Sequence, residues 1–152
     1  MSSQTLHDVL IELHVPDFET VKDFYSILGF EVCWKEKPKD MNGYLVLKRN
    51  QSVLCFFCGN EEVYKHPYFK KFSKDTVRGY GVELSIPVEN IDEYYDDLIK
   101  KIPSDQIVEP LKMKPWGNKD FRIIDPFGYY LRINEPQQIT EPLILGEKSY
   151  SS

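Results

Sequence analysis

Hydrophobic and polar residues alternate along two stretches of this chain, residues 8–15 and 80–88. A repeat of two is typical of a β-strand that buries one face and exposes the other. The apolar positions are Val9, Ile11, Leu13 and Val15 in the first stretch, and Val82, Leu84, Ile86 and Val88 in the second. We therefore predict a strand at each stretch, with its other face turned toward a cleft or toward solvent.

Each of these strands is followed by a predicted amphipathic helix, over residues 18–28 and 91–102. Apolar residues recur at three- and four-residue intervals in both segments, which is the spacing of one helix face. Asp17 stands where it can cap the first helix, and Asn90 can cap the second with Glu93 three residues later. Both helices are therefore expected to begin at a side-chain cap.

A shift of 73 residues lays the second strand and helix over the first. Six further strands are predicted at residues 30–36, 43–49, 52–58, 106–113, 119–124 and 129–134. The chain thus duplicates a β-α-β-β-β unit, and because one unit buries only one face of its sheet, two must associate. The predicted boundaries are a first module at 1–59, a linker with short helical pieces at 60–78, a second module at 79–135 and a tail at 136–152.

Composition and charge narrow the classes of function. The 152 residues are 41% hydrophobic and 14% aromatic, which is enough for a core. A formal net charge of −5 argues against a nucleic-acid partner and suits a neutral or cationic ligand. No apolar run approaches the roughly 20 residues of a membrane span, and Met1–Thr5 lacks the features of a signal peptide. We therefore expect a cytoplasmic protein without a membrane partner.

The chain contains three cysteines, an odd number that does not indicate a disulfide framework. Cys55 and Cys58 are spaced as in a redox pair or as half of a zinc site. They lie inside the predicted strand at 52–58, however, and no second pair accompanies them. Buried structural thiols are therefore the favoured interpretation, in a reducing compartment.

Several motifs in the chain can be compared with known families. Residues 115–121 (Pro-Trp-Gly-Asn-Lys-Asp-Phe) and 125–132 (Asp-Pro-Phe-Gly-Tyr-Tyr-Leu-Arg) predict a hairpin, because Pro, Asp and Gly favour tight turns. Residues 15–30 begin Val-Pro-Asp and continue into a helix with Phe-Tyr and Leu-Gly-Phe, and residues 88–92 repeat the opening turn. Together these motifs resemble the glyoxalase/bleomycin-resistance/dioxygenase (vicinal oxygen chelate) superfamily, and most of all its bleomycin-resistance-type members. The resemblance covers about residues 7–135.

The resemblance implies an α+β fold in which two βαβββ modules form a curved eight-stranded mixed sheet around a cleft. In metal-bearing members, the first and last strands of each module supply the ligands. Carried over by spacing, three of these positions fall on Leu10, Glu83 and Arg132, and residues 53–58 offer no carboxylate or imidazole at the fourth. Leucine cannot ligate a cation, and arginine repels one. We therefore expect no metal and no cofactor.

Seven residues are predicted to bind a ligand, and they are Glu12, His14, Glu83, Ser85, Trp116, Tyr130 and Arg132. Glu83 and Arg132 are expected to form a charge-assisted pair in place of the metal, either as part of the binding site or as a structural salt bridge. Trp116 could stack on a ligand or cover a dimer interface. No catalytic residue is assigned.

Two functions of different classes follow from the resemblance. The first is a metal-free binding protein that sequesters a planar or cationic small molecule in the cleft of a homodimer, with antibiotic resistance as one role. The alternative is a divalent-metal-dependent lyase, isomerase or dioxygenase resembling glyoxalase, in which Glu83 shares the ion with His14 and Glu12. Leu10 and Arg132 count against the enzyme. A third interpretation, an interaction module whose cleft is filled by its own aromatic side chains, stays open.

Overall fold

The computed structural model describes residues 9–36 and 43–136 of the chain. The chain divides into two compact units, residues 1–76 and 77–152. Each unit contains one four-stranded sheet and, in its described part, one α-helix. Residues 137–152 of the predicted tail and the N-terminal segment Met1–Thr5 lie outside the described residues.

The first unit folds in the predicted order, strand, helix and three strands. Its elements are β1 (Glu12–Val15), α1 (Phe18–Ile27), β2 (Glu31–Glu36), β3 (Gly43–Arg49) and β4 (Ser52–Cys58). The sheet has the order β1-β4-β3-β2, in which β1 and β4 are parallel and the other pairs are antiparallel. Two short 3₁₀ helices follow β4, at Glu61–Lys65 and Phe69–Lys71.

Helix α1 begins at Phe18 as predicted and ends at Ile27, one residue before the predicted end. The Asp17 carboxylate accepts a hydrogen bond from the Glu19 backbone N–H at 3.1 Å, so the predicted cap is confirmed. Gly29 follows the helix with a φ of +98°, and the Phe30 N–H donates back to the Tyr25 carbonyl. The Tyr25 ring packs against Phe56 of β4, with centroids 5.3 Å apart, so α1 covers one face of the sheet.

The two thiols of the Cys-x-x-Cys motif lie on β4. Cys55 and Cys58 are both buried and form no disulfide, as the structural interpretation predicts. Cys55 points to the open face of the sheet together with its register partner Glu12, and Cys58 points to the face that α1 covers. The two sulfurs therefore lie on opposite faces, which a redox pair does not allow.

The second unit repeats the topology of the first. Its elements are β5 (Glu83–Pro87), α2 (Ile91–Leu98), β6 (Ile107–Met113), β7 (Lys119–Ile124) and β8 (Tyr130–Asn134). The sheet order β5-β8-β7-β6 is that of the first sheet, with β5 parallel to β8. The α+β class and the duplicated βαβββ modules are confirmed. The union of the two sheets into one eight-stranded surface around a cleft stays a prediction.

The predicted cap of α2 is wrong. Asn90 has a left-handed backbone, with φ 51° and ψ 55°, and its side chain makes no capping hydrogen bond. A capping side chain reaches the helix N–H groups from an extended backbone, and the left-handed conformation of Asn90 turns it away. The helix also ends at Leu98, before the predicted residue 102, because the N–H groups of Lys100 and Lys101 bond three residues back.

The second sheet has one apolar and one polar face. The apolar face is fully buried and comprises Phe121, Ile123, Leu131 and Ile133. The Tyr95 ring of α2 packs on Phe121 with centroids 4.9 Å apart. The hairpin between β7 and β8 is closed by Asp125, whose carboxylate accepts from the Phe127 and Tyr129 N–H groups. None of the helices among the described residues is long and apolar enough to cross a membrane.

Candidate ligand-binding site

The face of the second sheet that points away from α2 gathers charged and polar side chains. Alternation along β8 turns Tyr130, Arg132 and Asn134 to this face, opposite Leu131 and Ile133. The strand register then sets polar residues of the neighbouring strands beside them. We call this surface the charged face, and it comprises Glu83, Ser85, Glu109, Lys114, Asp120, Arg122, Tyr130, Arg132 and Asn134, with Trp116 at its edge.

Asp120 is the centre of the charged face. Its side chain is 0% exposed and contacts three cations. The Nε atoms of Arg122 and Arg132 each lie 3.2 Å from a carboxylate oxygen, and the Lys114 ammonium lies 3.5 Å away. A buried carboxylate is stable only when cations and hydrogen bonds compensate for its lost hydration. The three cations provide that compensation, so the position of each depends on Asp120.

Arg122 links Asp120 to the edge strand β5. Its Nη1 atom lies 3.2 Å from the Glu83 carboxylate and donates to the Tyr130 hydroxyl at 3.2 Å. Burial by itself lowers the pKa of Arg122, but hydrogen bonds to Asp120 and Tyr130 outweigh it and raise the pKa. Arg122 is therefore a permanent cation that is fully engaged by its neighbours.

Glu109 extends the network on β6. Its carboxylate pairs with the buried Lys114 and, at 2.9 Å, with Lys112. Hydrogen bonds from Lys114 and then Lys112 lower the pKa of Glu109 to about 2. The carboxylate is therefore ionised at any physiological pH, and its charge is neutralised within the network.

The prediction that Glu83 pairs with Arg132 is wrong, because each side chain has a different partner. Arg132 binds Asp120, and Glu83 binds Arg122. The register explains the exchange, because Glu83 stands opposite Tyr130 whereas Ser85 stands opposite Arg132. Arg132 instead reaches a carboxylate on the other neighbouring strand, β7.

Sequence reasoning missed Asp120 and Arg122, which are the centre of the network. The signal was present, because Asp120 and Arg122 alternate with Phe121 and Ile123 along a predicted strand. This alternation places both polar side chains on one face. The contact between Asp120 and Arg132 depends on the register of β7 against β8, which the alternation does not specify.

Trp116 lies at the edge of the charged face in the hairpin between β6 and β7. The Gly117 N–H donates to the Lys114 carbonyl, and Gly117 has a φ of +94°, so the turn requires glycine there. The centre of the Arg132 guanidinium lies 5.2 Å from the centroid of the Trp116 ring. The indole is nevertheless 55% exposed, so most of its surface is open to a ligand or a partner.

The two predicted site residues of the first unit lie on the open face of its sheet. The Glu12 carboxylate accepts a hydrogen bond from the Tyr44 hydroxyl at 3.0 Å. Burial, and then hydrogen bonds with Cys55 and Glu12, raise the pKa of Tyr44. This hydroxyl therefore stays protonated and donates to Glu12.

His14 lies among aromatic rings on the same open face. Its ring centroid is 5.2 Å from Phe57, 5.3 Å from His66 and 5.4 Å from Phe69. His14, Phe57 and His66 line a pocket of about 320 Å³ together with Glu62. We call this surface the aromatic face, and it comprises Glu12, His14, Tyr44, Cys55, Phe57, His66 and Phe69.

The residues present do not fit the metal site of the metal-bearing relatives. Leu10 has an apolar side chain, 49% exposed, and Arg132 is a cation bound to Asp120. The Nδ1 atom of His66 accepts from the backbone N–H groups of Tyr68 and Phe69, so this nitrogen is occupied. Across residues 9–36 and 43–136, no three His, Cys, Asp or Glu side chains are grouped so as to hold a metal ion.

The two sheets have identical topology, and each carries a helix on one face. This arrangement defines a protein of duplicated βαβββ modules. The family model of the Glyoxalase/Bleomycin resistance protein/Dioxygenase superfamily matches residues 7–133. The chain belongs to this superfamily, and the vicinal oxygen chelate fold is confirmed.

Solved structures share this fold. A hypothetical protein from S. aureus is 19% identical with a TM-score of 0.65, and the match covers 88% of this chain and 96% of that chain. A glyoxalase family protein from Enterococcus faecalis is 25% identical with a TM-score of 0.58, covering 87% and 98%. A bleomycin-binding protein complexed with bleomycin is 16% identical with a TM-score of 0.56, covering 87% and 100%. No curated protein matches the sequence.

Proposed function

We propose that this protein binds a small molecule without a metal ion, and that the ligand lies on the charged face beside Trp116. The observation that carries the proposal is the position of Arg132. The resemblance assigns a metal-ligand position to this residue, and its guanidinium is instead held by the buried carboxylate of Asp120. A fixed cation repels a divalent ion and is well suited to hold a ligand group.

The exposed indole of Trp116 supports a planar ligand. An aromatic ring can stack on the exposed indole while polar groups of the ligand contact the sheet. The bleomycin-binding protein shows that this fold can hold a small molecule. At 16% identity its ligand is not carried over to this chain.

We further propose that the protein is a homodimer whose ligand binds in a cleft. Glu12 and His14 of the aromatic face belong to the same proposal, as residues that contact the ligand. Sedimentation of the purified chain tests the assembly directly. A monomer at all concentrations would contradict the proposed dimer. The proposal that the charged face binds a ligand would then apply to a single chain.

The metal-free binding is tested with chelator-treated protein and a library of aromatic compounds, observed by saturation-transfer NMR. We expect binding that EDTA does not abolish and that Trp116→Ala weakens. Tyr80→Ala is the matched control, because Tyr80 is a 92% exposed ring outside the charged face. Binding that appears only after addition of zinc or manganese would contradict the proposal.

A further inference from the structure

We infer that the charged face recognises the oxyanion of a planar ligand, with Arg132, Ser85 and Tyr130 as the hydrogen-bond donors. This inference rests on the proposed function and names the chemistry of its ligand. The net charge of the chain suggested a cationic ligand, whereas the charged face favours an anionic one. The reason is the direction of the hydrogen bonds on this face.

The carboxylates of the charged face are already neutralised by cations of the protein. Glu83 pairs with Arg122, and Asp120 contacts three cations. Glu109 is held by Lys112 and Lys114. Three carboxylates thus stand among four cations, so the network has an excess of positive charge. A cationic ligand would have to displace a lysine or an arginine, whereas an anion complements the excess.

Arg132 has donors left over. It uses Nε to bind Asp120, and within the described part of the chain its two terminal amino groups make no hydrogen bond. The side chain is 20% exposed, so these groups can be reached. A guanidinium fork donates two parallel hydrogen bonds to a carboxylate or phosphate. Asp120 fixes the orientation of the fork before any ligand binds.

The two hydroxyls beside Arg132 are also donors. Ser85 is the register partner of Arg132, and its oxygen accepts from the Asn134 amide at 2.7 Å. The Tyr130 oxygen accepts from Arg122 at 3.2 Å. Each hydroxyl therefore keeps its own hydrogen to donate. Together with the Arg132 guanidinium, these hydroxyls form a group of hydrogen-bond donors at neighbouring positions of β5 and β8. The oxygens of an anion can accept hydrogen bonds from all of them.

Asn134 leaves a buried acceptor open on the charged face, which the oxyanion itself cannot fill but a hydroxyl or amino group elsewhere on the ligand would. The residue is 2% exposed, and among the described residues its Oδ1 atom has no hydrogen-bond partner. A buried amide oxygen without a partner is rare in folded proteins. The amide is bonded to Ser85, so its unfilled position adjoins the proposed donors.

Four probes with one ring system separate charge from shape. They are 2-naphthoate, 2-naphthyl phosphate, 2-naphthalenemethanol and 2-naphthylmethylamine, each titrated into chelator-treated protein by calorimetry. We expect the two anions to bind at least about tenfold more tightly than the alcohol, because hydrogen bonds to charged groups are the stronger ones. The amine should bind most weakly. The better of the two anions distinguishes a carboxylate from a phosphate as the natural group.

Variants assign the binding to named donors. Arg132→Gln and Ser85→Ala should each weaken 2-naphthoate and leave the alcohol unchanged. Lys101→Gln is the matched control, because it removes one positive charge from the α2 side of the unit. Ser85→Ala keeps the test valid if Arg132→Gln fails to fold. If the amine or the alcohol binds as tightly as the two anions, or more tightly, the inference of an anionic ligand is wrong and the proposed function still stands. No binding of any probe would overturn both.

Discussion

The open faces of the two sheets have the same strand order and opposite chemistry. The aromatic face carries one carboxylate hydrogen bond, Glu12 to Tyr44, and a group of rings around His14. The charged face carries a network of ions around the fully buried Asp120. A duplicated scaffold therefore determines which positions face outward, and the residues at those positions determine what each face can bind.

The largest expected effect on stability comes from substitution of Asp120 on the charged face. Asp120→Ala leaves three cations without their buried carboxylate, so we expect a loss of about 3–5 kcal/mol in the free energy of unfolding. Urea denaturation followed by circular dichroism measures it. Asp96→Ala, which removes an exposed carboxylate from α2, is the control. A loss below about 1 kcal/mol would show that the network is not the structural centre of the second sheet.

The two helix starts provide the next comparison. Asp17→Ala removes the cap of α1 and should cost about 1 kcal/mol. Asn90→Gly should be neutral or slightly stabilising, because Asn90 makes no capping bond and glycine prefers its left-handed backbone. Thermal unfolding of both variants separates the two cases. A destabilised Asn90→Gly would mean that the Asn90 side chain does hold the helix.

The aromatic face should respond more weakly to loss of its hydrogen bond. Tyr44→Phe deletes the donor to Glu12, and we expect a cost of about 0.5–1.5 kcal/mol because the carboxylate stays accessible to water. Tyr80→Phe, which changes an exposed hydroxyl in the second unit, is the matched control. A cost comparable with that of Asp120→Ala would remove the contrast between the faces.

The smallest expected effect is a pH dependence from Glu109. Its pKa in the folded state is about 2, below the ordinary value of 4.5. The ionised form is therefore favoured by folding, and its contribution to stability is present above pH 4.5 and lost as pH falls toward 2. As the pH falls from 4.5 toward 2, the urea midpoints of the wild type and Glu109→Gln should therefore converge. A constant difference would contradict the lowered pKa. Glu93→Gln, which changes an exposed carboxylate on α2, is the control.

Much of the fold could be predicted because each signal is local. Alternation along β1 and β5, the Asp17 cap and the hairpin closed by Asp125 depend on residues close in the chain. Asn90 could not be predicted, because asparagine suits both a helix cap and a left-handed backbone. Residue type alone does not select between them.

The candidate site could be predicted in its residues and not in its contacts. Five of the predicted side chains lie together on the second unit, and Glu12 and His14 lie on the first. The partner of Arg132 depends on strand register and on the reach of a long side chain across β7 and β8. Neither is encoded in the spacing of residues along the chain.

On the charged face, we propose that a cation fixed by Asp120 replaces a metal. Calorimetry on chelator-treated protein tests this, first with zinc and manganese and then with 2-naphthoate, for the wild type and Arg132→Gln. We expect no metal binding, naphthoate binding by the wild type and loss of naphthoate binding in Arg132→Gln. Stoichiometric metal binding by the wild type, or naphthoate binding that requires the metal, would contradict it.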